Sequence, residues 1–199
     1  MQAELLRLQS ELEAAITRAY PDEGKILVHG EGSVGARVML IGEAPGEQET
    51  LQRRPFVGKA GKNLNEFLEL AGIDRSALYV SNTVKFRPTR TSNAGRTVNR
   101  PPTRGEVELF LPWLRREIDI VSPQTVVTLG NVPLRALTGA QAVIGALHGR
   151  FLKADGFVLY PMYHPASVIY NPSLREVYVQ DVLNLGRWLS ANPKSANIL

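Results

Sequence analysis

Leu5, Leu8, Leu12, Ala15, Ile16 and Ala19 recur at three- and four-residue intervals, which predicts an amphipathic helix over residues 3–19 that lies along the body of the protein. Short apolar runs follow. Residues 25–28 and 37–42 are predicted strands, and the second, RVMLIG, is apolar enough to be buried on both faces. The loop GEAPGEQETLQRRPFVG leads into a helix over 59–71 with Leu64, Phe67, Leu68 and Ala71 inward, and Gly72 supplies its stop. Residues 78–83 read as a strand and 86–102 as a polar, Arg-rich loop. Thr103 and Glu106 have capping-box spacing and open a helix to residue 120, in which Pro112 predicts a kink or a restart. TVVTL at 125–129 is a buried strand, 132–137 a short helix, and 157–161 a last strand that runs into YHPAS. Ser173 and Glu176 repeat the capping-box spacing before a final helix to residue 189, which buries Val177, Val182, Leu185 and Leu189 or their neighbours. The tail NPKSANIL, residues 192–199, is expected to fray.

Strands alternating with helices predict an α/β protein whose parallel sheet is covered on both faces. In such sheets ligands bind beyond the carboxyl ends of the strands. Three polar clusters fall there: residues 43–49 after one strand, Asn82 at the end of the next, and 164–167 after the last. Their convergence on one edge of the sheet is the main argument for an active site. Nothing repeats internally, and the 199 residues suit a single domain, 1–199.

Composition narrows the chemistry. The net charge of +4 is compatible with a polyanionic partner without requiring one. There is no cysteine, so disulfides, thiolate catalysis and cysteine-held zinc or iron–sulfur clusters are excluded. His29, His148 and His164 are scattered and lack the i,i+4 spacing of a metal-binding helix, so neither metal nor cofactor is expected. No apolar run reaches the roughly 18–20 residues that span a bilayer. The first twenty residues carry acids throughout, unlike a signal peptide, which leaves the cytoplasm as the expected address.

GEAPGEQE, residues 42–49, is a tight turn that presents carboxylates and backbone N–H groups at a strand tip. It is no phosphate-cradling loop: the closing Lys-Ser/Thr is missing and its three acids would repel phosphate. The glycine spacing of a dinucleotide fold is also absent.

GEAPGEQE, RPFVGKAGKNLNEFLELAGI, YVSNTVKFRP and YHPASVI, in that order over residues 26–189, resemble the uracil-DNA glycosylase superfamily, in particular its family 4 branch. The resemblance implies a three-layer sandwich around a central four-stranded parallel sheet. It also implies hydrolysis of the N-glycosidic bond of deoxyuridine in single- or double-stranded DNA, leaving an abasic site. Such chemistry needs donors for the anionic base, a negative group near the cationic sugar, and a positioned water. By the same resemblance Phe56 would stack on the flipped base and Ala44 would lend it backbone contacts. Asn82 would pair with the uracil edge and His164 would donate to O2. Glu43 is the first choice for orienting the water and Glu49 the second, although Glu49 has the alternative of walling the pocket against a thymine methyl. Ser167 would hold a flanking phosphate. A monomer is expected.

Two departures qualify the resemblance. Family 4 enzymes carry four cysteines around an iron–sulfur cluster, and where the family reads Lys-Cys-Arg-Pro this chain has Lys85-Phe86-Arg87-Pro88. Apolar packing that includes Phe86 is expected in the cluster's place. The loop RPTRTSNAGRTVNRPPTR is longer than usual and resembles that of the uracil-crosslinking subfamily, with Asn99 at the position of the crosslinking histidine. An amide nitrogen is a poor nucleophile, so water is expected to finish the reaction. Arg87, Arg90, Arg96, Arg100 and Arg104 of this loop, with no acid among them, are candidate phosphate contacts. Two rival readings remain: a low-turnover module that binds deaminated bases in DNA, and a hydrolase of free nucleosides.

Overall fold

The computed structural model describes residues 1–193. In chain order its elements are helix α1 (Gln2–Ala19), strands β1 (Glu31–Gly32) and β2 (Val38–Gly42), helices α2 (Glu47–Gln52) and α3 (Lys59–Leu70), and strands β3 (Tyr79–Asn82), β4 (Thr89–Thr91) and β5 (Thr97–Asn99). Helix α4 (Arg104–Val121), strand β6 (Thr125–Leu129), helices α5 (Asn131–Thr138) and α6 (Ile144–Leu147), strands β7 (Leu152–Lys153) and β8 (Val158–Met162), and helices α7 (Ser167–Tyr170) and α8 (Arg175–Ala191) complete it.

The main sheet has the order β1-β3-β2-β6-β8-β7. Its four inner strands are parallel, β2 lying between β3 and β6 and β6 pairing with β8. The expected four-stranded centre is therefore present, extended by two-residue antiparallel strands, β1 beside β3 and β7 beside β8. Such short edges offer little backbone for unwanted pairing.

Period two sorts the strand residues into layers. Val38 and Leu40 of β2, Val80 of β3 and Val127 of β6 pack with Leu64, Phe67 and Leu68 of α3 and with Tyr178, Val182 and Leu185 of α8. Met39, Ile41, Tyr79 and Val126 face the other way, against Leu5 and Leu8 of α1, Leu114, Ile118 and Val121 of α4, and Leu134 of α5. Each such side chain contributes about 1.5–3 kcal/mol of burial. Helices thus cover both faces of the sheet, which makes the sandwich.

The capping box at Thr103 forms: its hydroxyl accepts from the Glu106 N–H (3.2 Å) and the Glu106 carboxylate accepts from the Thr103 N–H (2.7 Å). Helix α4 continues through Pro112 as one element. Elsewhere the sequence reading needs correction. Residues 25–28 are not a strand; the Val28 N–H bonds to the Lys85 carbonyl (2.7 Å), and β1 takes the place beside β3. The loop expected after β2 contains α2, and the Arg-rich loop folds on itself as the hairpin β4–β5. Ser173 does not cap α8; the Asn171 side chain accepts from both its N–H (3.3 Å) and its hydroxyl (2.7 Å) across a 3₁₀ turn, and α8 starts at Arg175. In α8 Tyr178, rather than Val177, is fully buried. Of the expected frayed tail, Asn192 is held, its carbonyl accepting from Arg37 and Gln124, while residues 194–199 lie outside the described residues.

Candidate active site

The carboxyl ends of β2, β3 and β8 share one rim of the sheet, as the parallel order requires. Gly42 ends β2 in register with Asn82 at the end of β3. A Cβ at Gly42 would stand 2.5 Å from Phe56 Cζ and collide with Asn82 Oδ1. Only a hydrogen at this position lets the ring and the amide meet.

Phe56 sits in the left-handed region at φ 55°, a conformation costing about 1–3 kcal/mol that the surroundings must hold. They do so from several sides. Helix α3 comes so close that a Cβ on Gly61 would overlap the Phe56 carbonyl. Arg75 donates to the Pro55 carbonyl (2.9 Å) and to Asn65 Oδ1 (2.8 Å). The Glu49 carboxylate accepts from the backbone N–H groups of Val57 (3.0 Å) and Gly58 (2.7 Å), and from that of Gly46 (3.1 Å). Glu49 therefore ties the turn after β2 to the loop that carries Phe56.

The resulting cavity measures about 600 Å³, and Ala44, Glu49, Phe56, Asn82, Asn99 and His164 are among the residues that line it. The rings of Phe56 and His164 lie 5.9 Å apart, tilted by 31°. Asn82 is only 2% exposed, yet among the described residues nothing bonds to its side-chain amide. The amide opens onto the cavity and so offers a ligand a free acceptor oxygen and a free donor nitrogen. Burial pushes the His164 imidazole down to about 4, against a weaker opposing pull from Glu49, so the ring is neutral at physiological pH. The Ala166 N–H donates to its Nδ1 (3.2 Å). An Nδ1 that accepts leaves the proton on Nε2, and this assigns the tautomer.

Glu43 is half-buried at the head of the turn, one residue before Ala44, and is not among the cavity-lining residues. Burial raises its carboxyl above the ordinary carboxylate range, and among the described residues no hydrogen bond or ion pair engages that carboxyl. The two acids the sequence left unresolved thus occupy different settings: one saturated with backbone donors, the other desolvated and unpaired.

Ser167 also stands outside the lining; its N–H donates to the His164 carbonyl (2.8 Å) and so closes the turn that carries the imidazole. The arginines divide. Arg87 donates to Asn99 Oδ1 (2.6 Å) and Glu47 (3.2 Å), Arg100 forks onto Glu106 (2.7 Å for each bond), and Arg104 meets Glu108 (2.6 Å). The acids missing from the loop come from elements on either side of it. Arg90 and Arg96, on the exposed hairpin, make no ion pair among the described residues.

Several pocket-lining residues were not assigned to the site from the sequence. Asn99, noted there for standing at the position of the crosslinking histidine, lines the pocket with its amide oxygen held by Arg87. Asn93-Ala94-Gly95, a turn with Gly95 at φ 72°, was the signal for the hairpin that delivers it. Ile169 and Tyr170 line the rim although they are 45% and 86% exposed.

The sandwich and its pocket define an α/β protein with an aromatic ring, an amide and an imidazole around one cavity at the sheet rim. Residues 29–185 match the family model described as the uracil DNA glycosylase superfamily, and the chain belongs to that superfamily. It is 36% identical over 180 residues to a type-4 uracil-DNA glycosylase of Sulfurisphaera tokodaii, covering 86% of this chain and 78% of that one. A type-4 enzyme of Pyrobaculum aerophilum is 37% identical over 166 residues, covering 79% and 81%. The crystal structure of Pedobacter heparinus SMUG2 superposes with a TM-score of 0.55 at 14% identity, covering 78% of this chain and 76% of that one; the likeness is one of fold.

The iron–sulfur cluster implied by the family 4 resemblance does not fit the residues present. The chain has no cysteine, and Phe86, 1% exposed, fills the ligand position with its ring 5.5 Å from those of both Tyr20 and Phe110. Leu12, Ile16 and Val84 close this apolar plug. Among the described residues no group of His, Asp or Glu is arranged to hold a metal ion, and no helix is long and apolar enough to cross a membrane.

Proposed function

We propose that the protein is a monofunctional uracil-DNA glycosylase, which removes uracil from DNA and leaves an abasic site. The observation that carries this reading is the meeting of Phe56, the unpartnered Asn82 amide and a neutral His164 around one cavity. A base flipped out of the helix would stack on Phe56. Asn82 Oδ1 would accept from uracil N3–H and its amide nitrogen would donate to O4. Cytosine reverses both polarities at that edge, so an amide held in this orientation would reject it.

As the bond from C1′ to N1 breaks, its electron pair passes to the base and charge builds on O2. The Nε2–H of His164 stabilises that charge, and a neutral imidazole does so without surrendering its proton. The unpaired Glu43 carboxylate would face the cationic sugar. The water oxygen bonds to C1′ and gives its proton to that carboxylate. Ala44 adds backbone contacts from the pocket wall. Glu49 keeps the pocket in shape. Arg90 and Arg96, with Ser167 nearer the site, would meet phosphates in either single- or double-stranded DNA, and every group invoked comes from one chain. The substrate named for the type-4 relatives is the same.

Single-turnover incubation with uracil-containing single- and double-stranded oligonucleotides tests the proposal. Alkali-labile abasic product is expected from both. Gel-shift binding with no abasic product would favour a binding module, and cleavage confined to free deoxyuridine would favour a nucleoside hydrolase.

A further inference from the structure

A buried ion pair lies directly beneath Asn82. Lys85 and Glu117 are 2% and 4% exposed, with Lys85 Nζ 2.6 Å from Glu117 Oε2. The same ammonium donates to Ser81 Oγ (2.5 Å) and to the backbone carbonyl of Asn82 (2.8 Å), which uses all three of its protons. Glu117 accepts in turn from the Tyr79 hydroxyl (3.0 Å) and the Ser81 hydroxyl (3.0 Å). Tyr79, Ser81 and Asn82 are all on β3. The chain at Gly30 lies so close that a Cβ there would be 2.6 Å from Glu117 Oε1, which closes the network from that side.

Stability alone does not call for this arrangement. Burying each ion costs several kcal/mol, and well-packed apolar replacements of such pairs are commonly neutral or stabilising. The location gives a better reason. Asn82 is the last residue of β3, and the next two N–H groups bond across to the Gly42 and Glu43 carbonyls at the pocket turn. Ser81 and Asn82 project to opposite faces of the strand, so the network occupies the α4 side while the amide faces the cavity. Lys85 grips the Ser81 side chain and the peptide unit that follows Asn82.

We infer that Lys85 and Glu117 are positioning residues: they fix the Asn82 peptide and so aim its amide at the edge of the bound base. The inference rests on the proposed role of Asn82 as the group that reads uracil. Neither member of the pair lines the cavity. They act through Asn82 by removing its freedom to shift by fractions of an ångström.

A double-mutant cycle tests this. Lys85→Met with Glu117→Gln removes both charges together and leaves a side-chain oxygen for Tyr79 and Ser81, so neither ion is stranded. Its single-turnover uracil excision, measured on folded protein at saturating enzyme, should fall about tenfold in the otherwise native chain. In an Asn82→Ala background the same change should cost almost nothing, because the group being aimed is gone. Equal losses in the two backgrounds, or an undiminished rate in the native one, would overturn the inference while leaving the glycosylase reading intact. If Asn82→Ala alone left excision unchanged, the inference would fall together with the proposed role of Asn82, while the excision itself would still mark a glycosylase. Should the double variant not fold, Glu117→Gln, which keeps the shape but frees the ammonium, goes through the same cycle with the same expected non-additivity.

Discussion

Gly42→Ala puts the proposed pocket to its sharpest test, because it adds one methyl group and removes nothing. The new Cβ would stand 2.5 Å from Phe56 Cζ and 2.8 Å from Cε2. Carbon atoms in contact prefer about 3.5–4.0 Å, so the ring must retreat by roughly 1 Å, and the Asn82 amide with it. Retreat is obstructed: the Phe56 backbone is pinned against α3 at Gly61 and its loop is tied down by Glu49. Overpacking of this kind costs about 1–3 kcal/mol and should leave the protein folded. Displacing two base-holding groups by about 1 Å should cost about a hundredfold in rate. Single-turnover excision from a uracil oligonucleotide, read beside a thermal melt, separates the two effects. Gly105→Ala, where a Cβ meets nothing within 4 Å, is the control and should excise normally. Excision by Gly42→Ala within about threefold of the native rate, with the methyl in place, would show that Phe56 and Asn82 do not hold the base between them.

The imidazole of His164 gives a stability prediction whose sign is fixed. Its folded value of about 4 lies below the ordinary 6.5, so the unfolded chain takes up a proton first as pH falls. The stability due to the neutral ring is present above about 6.5 and drains away towards pH 4, and His164→Gln should lose less Tm across that window than the native chain; parallel curves would contradict the assignment. Glu43→Gln should slow excision while barely moving the melt, since no bond is lost, whereas Glu49→Gln should lower the melt by weakening charged acceptance from three backbone N–H groups, about 1.5–3 kcal/mol for the first. The reverse pattern would exchange the two roles. Arg90→Gln with Arg96→Gln should reduce the slope of log binding against log salt by about 0.7–0.9 for each lost phosphate contact. Arg100→Gln should act on the melt through Glu106 instead, and an unaltered slope in the first pair would make the hairpin a bystander.

The long helices, the parallel sheet between them and the rim at its carboxyl ends were legible in the chain. Each is written in local terms: an unbroken apolar run in RVMLIG, three- and four-residue spacing in α1, and a capping box at Thr103 that forms as read. What failed was equally local in appearance. Ser173 and Glu176 have capping spacing, but Asn171 reached the Ser173 N–H first. Residues 25–28 have strand composition, but the edge they needed belongs to β1. Spacing along a chain does not say which competitor for a hydrogen bond is nearer in space.

The division of labour in the site belongs to the tertiary structure. Nothing in GEAPGEQE separates Glu43 from Glu49; the distinction arises because the Phe56 loop folds back and offers Glu49 two N–H groups from residues eight and nine positions further on. The loop with five arginines and no acid looks uniformly cationic until Glu47, Glu106 and Glu108 arrive from its flanks and neutralise three of them. Likewise Lys85 reads as one more basic residue in VKFRP, and only the packing of α4 against β3 makes it a buried cation under Asn82. A sequence states which groups a protein owns. Charge and hydrogen bonding act through space over a few ångströms, so only the folded chain decides which groups are already spoken for and which are left for a ligand.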